Sequence, residues 1–171
     1  LVTAAVAPHA TYTVSAEHLQ QAHALAAKHD APLLMHLAEA RSEVELIRER
    51  HAAGPVEYVA GLGILDARVV AAHMIWPTPA EIELLAKGKV GVAHCPQSNM
   101  KGGSGVAPVP ALLAAGVAVG LGTDGSASNN DLSLWEEMDS AAKLHKVTSG
   151  DPTVLDARTV LAMATRLGAT A

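Results

Sequence analysis

Pro32-Leu33-Leu34-Met35-His36-Leu37-Ala38-Glu39 decides the reading of this chain. It begins as a short apolar run and ends in a histidine and a carboxylate. A strand buried in a parallel sheet reads as such a run, and the C-terminal ends of strands are where an α/β protein carries its chemistry. The stretch predicts that His36 ligates a metal ion and that Glu39, just past the strand, moves protons. Three further segments repeat the design: Val69-Val70-Ala71-Ala72-His73, Val90-Gly91-Val92-Ala93-His94, and Val117 through Gly122-Thr123-Asp124. Each closes an apolar run with a side chain able to bind a metal or a proton. Leu1 to Ala7 reads as one more strand, stopped by Pro8 and followed by His9.

Helical patterns lie between these runs. Ser15 reads as an N-cap, and apolar residues recur at helical spacing from Glu17 to His29 (Leu19, Ala22, Leu25, Ala26). Glu43 to His51 is a charged helix with Val44 and Ile47 on one face; Gly54-Pro55 breaks it, and a short helix to Leu62 follows. Thr78-Pro79-Ala80-Glu81 combines a capping box with proline at the first helical position, predicting a helix to about Lys87 stopped by Gly88. Cys95 to Pro110 reads as a long loop, Ala111 to Ala115 as a short helix, and Asp131 to Lys146 and Asp156 to Leu167 as the last two helices.

Strands alternating with helices mean a parallel sheet covered by helices. A flavodoxin-like open sheet and a (β/α)8 barrel both satisfy the pattern. Polar side chains at several strand ends favour the barrel, whose active site collects them. Such a barrel typically takes ~250 residues. The 171 residues here therefore predict its later part, about strands 4 to 8, as a single partial domain over residues 1–171. A start at Leu1 inside a strand, and an end just after a helix, lead us to expect a piece of a longer protein.

Half of the chain is hydrophobic, yet it has no Phe and only 2% aromatic residues, so Ala, Val and Leu must build the core. A net charge of −5 without a basic cluster argues against nucleic acid or an anionic membrane surface as partner. No apolar run approaches the ~20 residues of a membrane helix. No export leader is visible, and the single cysteine, Cys95, allows no internal disulfide, which together suggest the cytoplasm. Lys101-Gly102-Gly103-Ser104-Gly105 has its lysine ahead of the glycines and is no phosphate loop. Val106 spoils a Gly-x-Ser-x-Gly elbow around Ser104. Cys95, before Pro96, reads as packing.

Of nine histidines, His18, His23, His29, His51 and His145 lie on predicted helices and read as solvated. His9, His36, His73 and His94 each follow an apolar strand. Neutral imidazole and carboxylate oxygen are the ligands that a catalytic zinc or iron ion takes, with a position left for water. Such an ion lowers the pKa of that water towards ~7. Asp124 and His73 are placed to take the water's proton, and Glu39 to protonate the leaving group or ring.

His36-Leu-Ala-Glu39, Ala72-His73, His94-Cys-Pro-Gln-Ser-Asn-Met-Lys101, Gly105-Val-Ala-Pro-Val-Pro110 and Leu121-Gly-Thr-Asp-Gly-Ser-Ala-Ser-Asn-Asn130 resemble the amidohydrolase superfamily. Within it they are most similar to the 5′-methylthioadenosine/S-adenosylhomocysteine deaminase branch, related to the triazine chlorohydrolases, and Ala7-Pro8-His9-Ala10-Thr11-Tyr12-Thr13 fits the same branch. The resemblance implies a (β/α)8 barrel with one divalent metal, zinc by preference and iron as an alternative. It implies His36 and Asp124 as metal ligands, His73 orienting the water, Glu39 contacting the purine and shuttling a proton, and His9 contacting the substrate. Asp124 would also accept the water's proton, next to the ring under attack. The implied reaction is hydrolytic deamination of an adenine nucleoside. Guanine or cytosine deamination, triazine dechlorination and a non-catalytic truncated barrel are the alternatives. The family's His-x-His ligand pair does not occur in these residues. Because a partial barrel exposes strand edges that invite association, a homo-oligomer is also among the expected partners.

Overall fold

The computed structural model describes residues 3–66 and 68–171. Four strands, β1 (Leu33–Leu37), β2 (Val69–His73), β3 (Gly91–His94) and β4 (Val119–Leu121), form one sheet in chain order, and every pairing is parallel. Among the described residues eight helices accompany them: α1 (Ala16–Lys28), α2 (Arg41–His51), α3 (Pro55–Gly61), α4 (Pro79–Gly88), α5 (Pro96–Lys101), α6 (Val109–Ala114), α7 (Leu134–Ser149) and α8 (Ala157–Met163). The parallel α/β arrangement is the expected one. Of the strand expected from Leu1 to Ala7, Leu1 and Val2 lie outside the described residues. Val6 forms an isolated parallel bridge to Leu33, and Ala10 one to His36, so this segment flanks β1 on the side opposite β2.

The helix signals act as the residues dictate. The Thr78 side chain accepts from the Glu81 N–H while the Glu81 carboxylate accepts from the Thr78 N–H, with Pro79 in the first turn of α4. Gly88 does not stop that helix. It is the last helical residue, and the left-handed turn falls on Lys89 (φ 56°). Gly88 instead permits close approach, since a Cβ there would lie 3.1 Å from the Leu65 carbonyl oxygen. On α1, Leu19 and Ala26 are buried, but Leu25 sits one position off that stripe and is 48% exposed. The expected long loop from Cys95 to Pro110 contains α5 and the start of α6. Proline near the start of each helix presets its backbone angle there, so segments rich in loop residues still close a helical turn.

Leu33, Met35, Leu37, Val69, Ala71, Val92 and Val119 point to one face of the sheet, into a single core with Leu19, Val59, Leu85 and Leu112 from the helices and Ile64 from the connection after α3. The other face carries Leu34 and His36 on β1, with Val70 and Ala72 in register on β2 and Ala93 on β3. This face is the less buried one, and Leu34 is 41% exposed on it. Gly91 pairs with Val70, and Gly120 with Ala93, which puts both glycines on the His36 face. There the C-terminal turn seats itself. A Cβ on Gly120 would lie 2.7 Å from the Gly168 Cα, and one on Gly91 would strike the Ala171 backbone.

Candidate active site

The site grows from the C-terminal ends of the strands. At the end of β1, the His36 Nδ1 lies 2.9 Å from the His9 carbonyl oxygen, and the His36 backbone N–H donates to the same oxygen at 3.0 Å. A carbonyl only accepts, so the proton sits on Nδ1 and the Nε2 lone pair is left bare. One strand further, register places His73 beside Leu37, a core residue, and strict alternation would bury its ring away from His36. Left-handed angles at His73 (φ 70°) and Met74 (φ 46°) break the alternation. The two imidazoles consequently stack with centroids 5.4 Å apart, 14° from parallel. The His73 Nδ1 lies 2.8 Å from the Oδ1 of buried Asn99, which fixes the proton there and frees Nε2.

Asp124 follows β4 with φ 59°, another left-handed residue. Its Oδ2 accepts hydrogen bonds from the Ser98 and Ser128 hydroxyls, both at 2.7 Å, and neither serine engages Oδ1. Partial burial acts to raise its pKa. Hydrogen bonds from Ser128, Ser98 and the Gly125 backbone, with His73 nearby, outweigh it and hold the carboxyl below its usual range. Glu39 completes the group, its Oε1 3.9 Å from the His73 Nε2.

His36, His73 and Asp124 each present one ligand atom, and all three atoms lie within 4.8 Å of one another. Donors around one zinc ion at ~2.0–2.2 Å stand about 3–4 Å apart. Bare imidazole nitrogens and a carboxylate oxygen, each side chain oriented by a second hydrogen bond, suit a divalent cation. His9 stands beside the cluster, its ring centroid 5.0 Å from that of His36 and its Nδ1 2.7 Å from the Thr13 hydroxyl oxygen.

Two histidines depart from their sequence reading. His94, at the end of β3, is fully buried and turns towards α7, with its Nε2 3.2 Å from the Nε2 of His145. His145, expected to be solvated, is buried in that contact. Burial pushes the pKa of His94 down to about 3, with His145 and His73 adding to the effect, and that of His145 down to about 4. Cys95 is buried packing as expected. Burial, then the charges of Asp124 and Glu137, raise its thiol to about 12.

Asn99, Ser98 and Ser128 went unassigned in the sequence. The first two lie in α5, inside the stretch read as loop, where a one-turn helix aims adjacent side chains at two different strands. A second layer then fixes the Asp124 loop. The Lys101 Nζ donates to the Ala127 carbonyl (2.8 Å) and to the Asn130 Oδ1 (2.6 Å). Buried Glu137 accepts from the Gln97 N–H and from the Asn129 side chain.

All 171 residues, 1–171, match the sequence model of the amidohydrolase family. The chain belongs to that family. Among its relatives, the 5-methylthioadenosine/S-adenosylhomocysteine deaminase of Pelotomaculum thermopropionicum is 49% identical over 170 residues, which are 99% of this chain and 39% of that protein. This amidohydrolase chain thus spans about two fifths of the curated relatives it matches. A zinc-bound adenosine deaminase from Xanthomonas campestris superimposes with a TM-score of 0.93 at 42% identity, over 97% of this chain and 38% of the other. The atrazine chlorohydrolase of Arthrobacter aurescens, complexed with zinc, gives 0.90 at 30% identity, over 96% and 36%. The sheet is accordingly the later part of an amidohydrolase (β/α)8 barrel, with the Val6–Ala10 segment and β1 to β4 as successive wall positions.

Proposed function

We propose that the protein carrying this chain is a metal-dependent aminohydrolase. It removes the amino group from the adenine ring of 5′-methylthioadenosine or S-adenosylhomocysteine and releases ammonia. The observation that carries this reading is the convergence of His36, His73 and Asp124, each with a bare donor atom, beside the carboxylate of Glu39. Relatives at about half identity over nearly the whole chain, named as deaminases of these two compounds, support the substrate.

In this reading His36 and Asp124 hold the metal ion, zinc in preference to iron. When bound, the ion supplies a water acidic enough to ionise near neutral pH. The His73 Nε2 would accept a hydrogen bond from the attacking water and orient it towards the ring. Asp124, kept ionised by its two serine partners, would accept the proton that the water gives up. Glu39 protonates the ring nitrogen, and His9 contacts the nucleoside from the neighbouring loop. One water is consumed and one ammonia leaves. Among the described residues no helix is long and apolar enough to cross a membrane. We read the cytoplasm as the compartment from the single cysteine, Cys95, a free thiol. Exposed Leu132, Leu134 and Trp135 offer apolar surface for a homo-oligomer.

A second reading, a barrel portion that binds metal or nucleoside without turnover, is favoured by the absence of a His-x-His pair from these residues. Three protein ligands are usual for catalytic zinc, and the cluster holds three groups only if His73 is one of them. An ultraviolet assay of the zinc-supplied protein separates the readings. We expect conversion of both adenine thioethers and none of guanine or a chlorinated triazine. Turnover of guanine alone would overturn the substrate, and stoichiometric zinc without turnover would favour the second reading.

A further inference from the structure

Glu43 is 3% exposed, and among the described residues no cation pairs with it. A buried carboxylate without a counter-charge persists only where hydrogen-bond donors satisfy it. Glu43 has three. Its Oε1 accepts from the Thr11 hydroxyl at 2.9 Å and from the Ala38 N–H at 3.2 Å, and its Oε2 accepts from the Glu39 N–H at 2.9 Å. An acidic residue in the first turn of a helix ordinarily turns back on the N-cap amide. Glu81 does so at the equivalent position of α4, reaching the Thr78 N–H. Glu43 bypasses Ala40, the N-cap of α2, and grips the two preceding amides instead.

Those amides belong to the turn that carries the site carboxylate. Ala38 adopts a left-handed φ of 53°, a conformation strained for a non-glycine residue. Its carbonyl is held from the other side by the Ile75 and Trp76 N–H groups at 2.8 and 2.9 Å. Thr11, the third donor, lies two residues after His9, whose carbonyl fixes the His36 ring. Glu43 therefore ties the Glu39 turn to the segment that orients His36 and presents His9.

We propose that Glu43, with Thr11, is a positioning residue that holds the Glu39 carboxylate at its distance from His73 and from the substrate ring. The inference rests on the reading of Glu39 as the proton carrier. Displacing a proton-transfer group by about 1 Å costs on the order of a hundredfold in rate.

The test uses the protein that carries this chain, supplied with zinc. Thr11→Val removes one donor without changing shape, Thr11→Ser keeps it, and Glu43→Gln sets an amide group against N–H donors. Three quantities are measured: kcat and KM on 5′-methylthioadenosine, the zinc-to-protein ratio, and hydrogen exchange at the Ala38 and Glu39 amides. We expect Thr11→Val to lower kcat by about tenfold and Glu43→Gln by about a hundredfold, with KM and zinc content little changed. Exchange should rise at the two amides and stay as in wild type at the Leu85 amide in α4. Thr11→Ser should restore the rate. Unchanged exchange in both Thr11→Val and Glu43→Gln overturns the proposal, as does a Thr11→Ser variant no better than Thr11→Val. Glu39→Gln, run in parallel, tests the underlying reading. A wild-type rate there removes Glu39 from the chemistry, and the exchange data alone then decide whether Glu43 holds the turn.

Discussion

The His94–His145 pair makes stability sharply acid-sensitive at a place outside the metal cluster. Both rings are buried and stay neutral, with pKa values near 3 and 4, whereas an unfolded chain protonates each near ~6.5. Above that value both states are neutral and the pair contributes nothing to the pH dependence. As the pH falls below it, the unfolded chain takes up two protons that the fold refuses until about pH 4 and then about pH 3. Each histidine so treated costs about 2 kcal/mol of stability between pH 7 and pH 5, the pair about 4 kcal/mol. For a chain of this size that is a fall of about 8–16 °C in Tm. Calorimetry of metal-free protein at the two pH values measures it, and His145→Gln supplies the control. The variant loses one titrating group, so its pH 7 to pH 5 difference should shrink by about 2 kcal/mol relative to wild type. An unchanged difference would falsify the assignment of neutral, buried rings.

Other expectations bear on the site itself. His36→Ala should abolish zinc binding and turnover together, and a variant that keeps either one refutes its place among the ligands. Glu39→Gln should keep zinc but lose about 10²–10⁴-fold in kcat, because only proton transfer is removed; loss of zinc would recast Glu39 as a structural partner. Ser98→Ala combined with Ser128→Ala removes two of the bonds that hold the Asp124 pKa down. The acid limb of the rate profile should then move to higher pH, and an unmoved limb would detach Asp124 from the proton step. In the core, Leu85→Ala should cost about 2–5 kcal/mol, read as a lowered urea midpoint with normal zinc content.

Much of this architecture was legible from short-range signals. The Thr78-Pro79-Glu81 box starts α4 where expected, and the apolar runs leading to His36 and His73 form strands that end at Leu37 and His73. His36, His73, Asp124 and Glu39, named from their places at run ends, come together in space. What escaped depends on contacts between distant segments. His145 has the charged neighbours of a surface residue, yet it follows Glu137 and Ala141 at intervals of four on the buried face of α7. That spacing was the available signal, masked because a glutamate is seldom read as interior. His94 ends its strand as His73 does, but no left-handed angle turns it towards the cluster, and it packs on α7 instead. Asn99 could not be matched to His73, 26 positions earlier, from composition alone.

Gly91 and Gly120 bear on how sequence variation in this family would be read. Both face the C-terminal turn so closely that a methyl group would collide with the backbone of Ala171 or Gly168. Neither has a left-handed φ. They should nonetheless be among the least variable positions in any alignment, and Gly120 should change only together with Gly168. Invariance at these two sites would record a steric fit between backbones rather than chemistry, and a search for catalytic residues ranked by invariance alone would be drawn to them.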